Sequence, residues 1–71
     1  MEISAAARAQ RDRVRLSRML DNLTRDAKTL RNTARAIGRD EDARKLNGVI
    51  RCLDSAQATL SDPALLHPTL F

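Results

Sequence analysis

Residues 16–53 read LSRMLDNLTRDAKTLRNTARAIGRDEDARKLNGVIRCL, and the spacing of their apolar side chains decides the fold. Leu16, Leu20, Leu23, Ala27, Leu30, Ala34 and Ile37 recur at steps of 4, 3, 4, 3, 4 and 3, which is the heptad period of a helix with one apolar face. Gly38 follows and supplies the left-handed conformation that ends helices, with Arg35 placing positive charge in the last turn. Asp40, Glu41 and Asp42 then bring negative charge to a new helix start, with Asp40 the expected N-cap and Arg39 or Asp42 as bracketing positions. Ala43, Leu46, Ile50, Leu53 and Leu60 carry the period onward, while Val49 and Ala56 widen the apolar face.

Outward from this core, Ala5, Ala6, Ala7 and Ala9 are strong helix formers, so the first helix is expected to start after Ser4, whose hydroxyl can cap it. Its N-terminal part is a thinner apolar strip, interrupted by Arg13, and is expected to be exposed. Gln57 interrupts the face of the second helix. Gly48 weakens that helix locally and is expected to admit the close approach of another backbone. Asp62 and Pro63 end the second helix and start one short turn through Leu66, after which Pro68 forbids further helix. The apolar Leu65, Leu66, Leu70 and Phe71 are expected to fold back over the open end of the pair, with an anchor for something else as the alternative.

The expectation is one all-α domain over residues 1–71, an antiparallel two-helix hairpin with a short apolar C-terminal tail. Helix one covers about 5–37, the turn 38–40, helix two about 41–60 and the tail 61–71. A chain of 71 residues with one aromatic and one cysteine has neither a large core nor a disulfide to supplement it, and small globules bury only ~60% of the surface that their unfolded chains expose. The hairpin is therefore expected to be completed by a second copy or by a partner helix. The partner-binding apolar face comprises Leu16, Leu20, Leu23, Leu30, Leu46, Val49, Ile50, Leu53 and Leu60.

Charge is divided unevenly. The net charge is +4; through Arg39 the chain holds ten basic and four acidic side chains, and from Asp40 onward three basic and five acidic. Arg8, Arg11, Arg15, Arg18, Arg25 and Lys28 form a stripe opposite the apolar seam, diluted by Asp12 and Asp21. Such a stripe keeps a small bundle in solution, and it can also bind nucleic acid through phosphates or meet an acidic surface. No aromatic platform for stacked bases accompanies it, because Phe71 stands alone.

Catalytic and metal chemistry lack the residues they need. His67 has no ligand partners at metal-binding spacing, and Cys52 lacks an oriented base, so it reads as a small, partly buried hydrophobe. Asp40, Glu41 and Asp42 lack the ligand alternation and glycine of a calcium loop. No catalytic residue, metal site or cofactor is expected. The opening MEISAAARAQRDR lacks a long apolar run, no segment approaches the roughly 20 residues of a membrane span, and the lone cysteine suits a reducing compartment, so a cytoplasmic location is expected.

These features lead to two functional expectations. One is a non-enzymatic interaction module, a small chaperone or adaptor that packs its apolar groove on a partner helix; the other is a small basic dimeric regulator that binds nucleic acid through the stripe of helix one. In size and layout, Leu16 to Leu60 resembles the small two-helix chaperones of bacterial secretion systems, which pair with another small chaperone to shield a filament subunit. That resemblance implies a protein-binding role and assigns no functional residue.

Overall fold

The computed structural model describes residues 4–66, and those residues form two helices, α1 (Ala5–Ala36) and α2 (Asp40–Leu60), packed side by side as a hairpin. Ser4 caps α1 as expected: its Oγ accepts from the Ala7 N–H at 3.1 Å. The helix ends one residue earlier than the spacing indicates, because Ile37 takes the C-cap. Two bonds then close the end: the Arg39 N–H donates to the Ala34 carbonyl at 2.8 Å and the Gly38 N–H to the Arg35 carbonyl at 3.1 Å. This is a Schellman motif, and it requires the left-handed residue at Gly38, whose φ is 79°.

The same motif corrects the start of α2. Arg39 is held by its bond to Ala34 and becomes the N-cap, so Asp40, expected there, is already the first helical residue. Arg39 offers no side-chain cap bond. The exposed helix start is stabilised instead by the acidic first turn Asp40, Glu41 and Asp42, and Asp42 pairs with Arg39 at 2.6 Å. With no slack between the Schellman motif and α2, the chain reverses and the helices lie antiparallel.

The strip between the helices is not the leucine-rich one. Ala34, Ala43 and Ile50 are the buried core. Along α1 the positions turned toward α2 are Arg13, Ser17, Leu20, Thr24, Ala27, Arg31 and Ala34, all half-buried or buried, and only Leu20 among them is a large apolar residue. Polar bonds cross the strip at three levels. Ser17 Oγ donates to Gln57 Oε1 at 3.0 Å, and Gln57 Nε2 returns a bond to the Ser17 carbonyl at 3.1 Å and another to the Asp21 carboxylate. Arg31 Nη1 donates to Asn47 Oδ1 at 3.1 Å. Gln57, which looks like an interruption in the sequence, is thus a register pin.

The third level is Arg13. Its guanidinium donates to the carbonyls of Leu60 at 2.5 Å, Asp62 at 3.0 Å and Leu65 at 3.2 Å, satisfying groups that the end of α2 leaves free. The short turn expected after Asp62 is present: Asp62 Oδ1 accepts from the Ala64 N–H at 2.9 Å, and the Asp62 carbonyl accepts from the Leu65 N–H at 3.0 Å. Leu65 is half-buried, so the chain folds back toward α1 at that residue, whereas Leu66, expected to fold back with it, is exposed at 41%. His67, Pro68, Leu70 and Phe71 lie outside the described residues.

Gly48 is a second correction. An added Cβ there meets nothing within 4 Å, so no backbone of the hairpin approaches it. The two glycines therefore respond oppositely to alanine. Gly38→Ala is expected to destabilise the hairpin by about 1 kcal/mol, because the left-handed backbone strains any Cβ, whereas Gly48→Ala stabilises it by about the same amount. Thermal melts of the two variants check the signs. Arg13→Ala is expected to cost on the order of 1–3 kcal/mol, since three carbonyls lose a charged donor, and limited proteolysis should then cut first after Leu60.

Candidate helix-docking face

The pairing of α1 through its small and polar strip leaves its larger apolar residues to one side. Leu16, Leu23, Leu30 and Ile37 recur every seven residues and drift by only ~20° per step around an ideal helix, so they form one line. Met19 sits three positions after Leu16 and four before Leu23, on the same face. All five are exposed, from 47% at Leu16 to 67% at Ile37. On α2 the matching line is Leu46, Val49, Leu53, Ala56 and Leu60, at steps of 3, 4, 3 and 4. Val49 is exposed, and the other four are half-buried.

The two lines form the walls of an open cleft. One stretch of about 380 Å³ is lined by Leu23, Asp26, Ala27, Leu30, Leu46, Val49 and Leu53. A second stretch of about 400 Å³ shares Leu30 and Leu46 with the first and extends toward the turn past Thr33, Ala34, Ile37, Arg39, Asp42 and Lys45. Together they make an open apolar groove along the face of the hairpin, with Asp26 in one stretch and Arg39, Asp42 and Lys45 in the other.

The residues expected to form this face divide between two places. Leu23, Leu30, Leu46, Val49 and Leu53 come together in the groove, and Leu16 and Leu60 extend their two lines. Ile50 does not belong to it: at 6% exposure it is buried between the helices and is unavailable to a partner. Leu20 is half-buried on the strip facing α2. Two more residues join the face: Ile37, on the seam but absent from the expected binding face, at the heptad interval from Leu30, and Met19, three residues after Leu16 and four before Leu23.

Most of the basic stripe lies away from the groove, although Arg8 and Arg15, 18 and 11 residues before Asp26, share its side of α1. Arg8, Arg11, Arg15, Arg18, Arg25 and Lys28 are all exposed. Arg15 approaches Asp12 at 3.7 Å with both side chains in solvent, a pairing worth little, and Arg25 donates to Asn22 Oδ1 at 2.7 Å. The stripe follows α1 on the side turned from α2. Cys52, expected to be partly buried, is an exposed free thiol, because its position on α2 points away from the strip that packs on α1. No group of three metal-ligating side chains occurs among the described residues, and neither described helix is long and apolar enough to cross a membrane.

The surface of the chain is large for its mass. It exposes 5683 Å², where a compact monomer of 7.9 kDa exposes about 4,400 Å². The Cα extents of 55 × 23 × 11 Å give the reason: the hairpin is one helix layer thick, and a stable helical domain packs at least two layers around its core. No protein-family model matches the chain, and no characterised protein or solved structure matches it either.

Adjacent residues on α2 distinguish core from groove. Ile50→Ala is expected to destabilise the dilute chain by about 2–4 kcal/mol, and Val49→Ala by less than about 1 kcal/mol, since only the first side chain is enclosed within the hairpin. Chemical denaturation followed by circular dichroism measures both.

Proposed function

We propose that this protein is a helical interaction module whose work is binding, through a groove that receives a partner helix along the face between Leu23 and Leu30 of α1 and Leu46, Val49 and Leu53 of α2. The observation that carries this reading is the sorting of side chains within α1: the strip used to close the hairpin is small and polar, while Leu16, Met19, Leu23, Leu30 and Ile37 stay in water. Exposed apolar surface of this extent costs free energy unless something covers it, and contiguous patches of this kind mark interaction sites. Their heptad spacing on both walls fits knobs from a third helix better than an irregular loop. A catalytic role is less suited to this surface, because an open groove does not exclude water from a substrate. An adaptor or a small chaperone for an amphipathic helix is the functional class that follows.

A second reading rests on the exposed basic stripe. Arg8, Arg11, Arg15, Arg18 and Arg25 stand on one side of α1 with Arg15–Asp12 as the one ion pair recorded among them, an arrangement able to contact phosphates without base recognition.

The complex formed by the full chain in its native extract distinguishes these readings. An assembly larger than 7.9 kDa that persists at high salt and disappears on Leu23→Asp or Val49→Asp, yet survives joint replacement of Arg11, Arg15 and Arg18 by glutamine, is the expected result. An assembly indifferent to both groove variants would defeat the groove reading. One that releases nucleic acid as salt rises, and fails with the triple glutamine variant, would establish the second reading in its place.

A further inference from the structure

Beside the turn, the hairpin carries a polar cavity that the groove does not include. Asp40, Ala43, Arg44 and Asn47 fall at steps of 3, 1 and 3 on one face of α2, and with Arg35 of α1 they line a space of about 260 Å³. None of the five lines the groove. Arg35 and Ile37 follow Ala34 by one and three positions, which turns them to opposite sides of the strip between the helices: Ile37 lines the groove and Arg35 this cavity. Ala43, at 2% exposure, is the buried part of the lining, and its small side chain leaves the space open.

The polar lining is rich in donors. Arg35 and Arg44 are exposed, and neither forms an ion pair among the described residues, although Asp40 precedes Arg44 by the four residues that suit a helical pair. Asn47 is half-buried, and its Oδ1 accepts from Arg31 Nη1 at 3.1 Å. That bond occupies the acceptor end of the carboxamide and leaves its NH2 group as a donor. Two arginines against one aspartate give the lining a formal charge of +1, and Arg31, bonded to Asn47, brings the local sum to +2. Guanidinium forks offered from two helices, with an amide donor beside them, suit an anion with several acceptor oxygens. A carboxylate or a phosphodiester carries one negative charge, whereas a terminal phosphoryl group carries nearly two and presents three strong acceptor oxygens.

We infer that this cavity binds a dianionic phosphoryl group, free or at the end of an ester, between Arg35 of α1 and Arg44 of α2, with the Asn47 amide as a neutral donor. One guanidinium comes from each helix, so the site exists only in the closed hairpin and its occupant ties α1 to α2 at the turn end. Asp40 opposes the anion and moderates its affinity. The site shares no side chain with the groove, so its test is independent of the binding reading above.

The test titrates the full chain with phenyl phosphate and follows the arginine Nε–H and asparagine Nδ2 signals by nuclear magnetic resonance. Saturable shifts centred on Arg35, Arg44 and Asn47 are the expected result, with dimethyl phosphate, a monoanionic diester, binding about tenfold more weakly. Arg35→Gln and Arg44→Gln are each expected to weaken phenyl phosphate about tenfold, and Asp40→Asn to tighten it about threefold, with helical circular dichroism retained in all three. Inorganic phosphate, titrated in parallel, separates the two sources: equal or tighter binding assigns the free ion, and weaker binding assigns the ester. Shifts spread evenly over the arginines of the chain would overturn the inference, as would an affinity that neither glutamine variant changes. Tighter binding of dimethyl phosphate or of a short oligothymidylate than of phenyl phosphate would overturn it too, and would assign the surface to a nucleic-acid backbone. The shift map comes from the unaltered chain, so it decides the matter even where a variant loses its fold.

Discussion

The strip between the helices fixes the rotation of α1 about its own axis, and the character of every other surface follows from that rotation. Ala34, Ala43 and Ile50 pack at the turn end and centre of the strip, Ser17 and Gln57 exchange bonds farther along, and Arg13 closes the far end on the carbonyls of Leu60, Asp62 and Leu65. A hydrogen bond of this kind contributes modestly when made, but a half-buried polar group left without its partner costs more. A slip of α2 by one residue, or a turn of α1 toward its leucines, would orphan Gln57 and Arg31 together. The polar pairs thus define one arrangement, and the small residues between them let the helices meet there.

Hydrophobic burial makes no comparable demand on direction. Leu16, Leu23, Leu30 and Ile37 gain from any apolar cover, and within a single hairpin the strip has no room for them. They remain on the flank, where the α2 row from Leu46 to Leu60 lies at the same level. An incomplete core and a ready groove are in this molecule the same fact: the residues that would have filled a core inside one chain form a face outside it. The thickness of 11 Å expresses this directly.

Electrostatics is organised along the same division. The polypeptide reverses at Gly38, and the charge balance changes sign close to that point, so a basic α1 lies against a mildly acidic α2. Most of these charges stand in water and add little to the fold singly. Val14 is 49% exposed among them, but most of the other exposed large apolar side chains lie along the groove, which gives the hairpin a definite orientation toward whatever it meets.

Much of this was legible in the chain itself. The 3.6-residue period, Ser4, Gly38 and the acidic run after it determined two helices, their limits to within a residue or so, and the tight reversal between them, because all of these are local properties of backbone and neighbouring side chains. What local spacing did not determine was which part of the apolar arc of α1 faces α2. The sequence seam from Leu16 to Ile37 straddles two adjacent lines, one through Leu20, Ala27 and Ala34 and the other through Leu16, Leu23, Leu30 and Ile37, and hydrophobicity alone ranks the second higher. The choice of the first is made by contacts between residues far apart in the chain, such as Ser17 with Gln57 and Arg13 with Leu60. Only the tertiary structure decides it, since the free energy of those bonds exists only when both helices are present and in register, and for the same reason it moves Ile50 inside and leaves Met19 and Ile37 out.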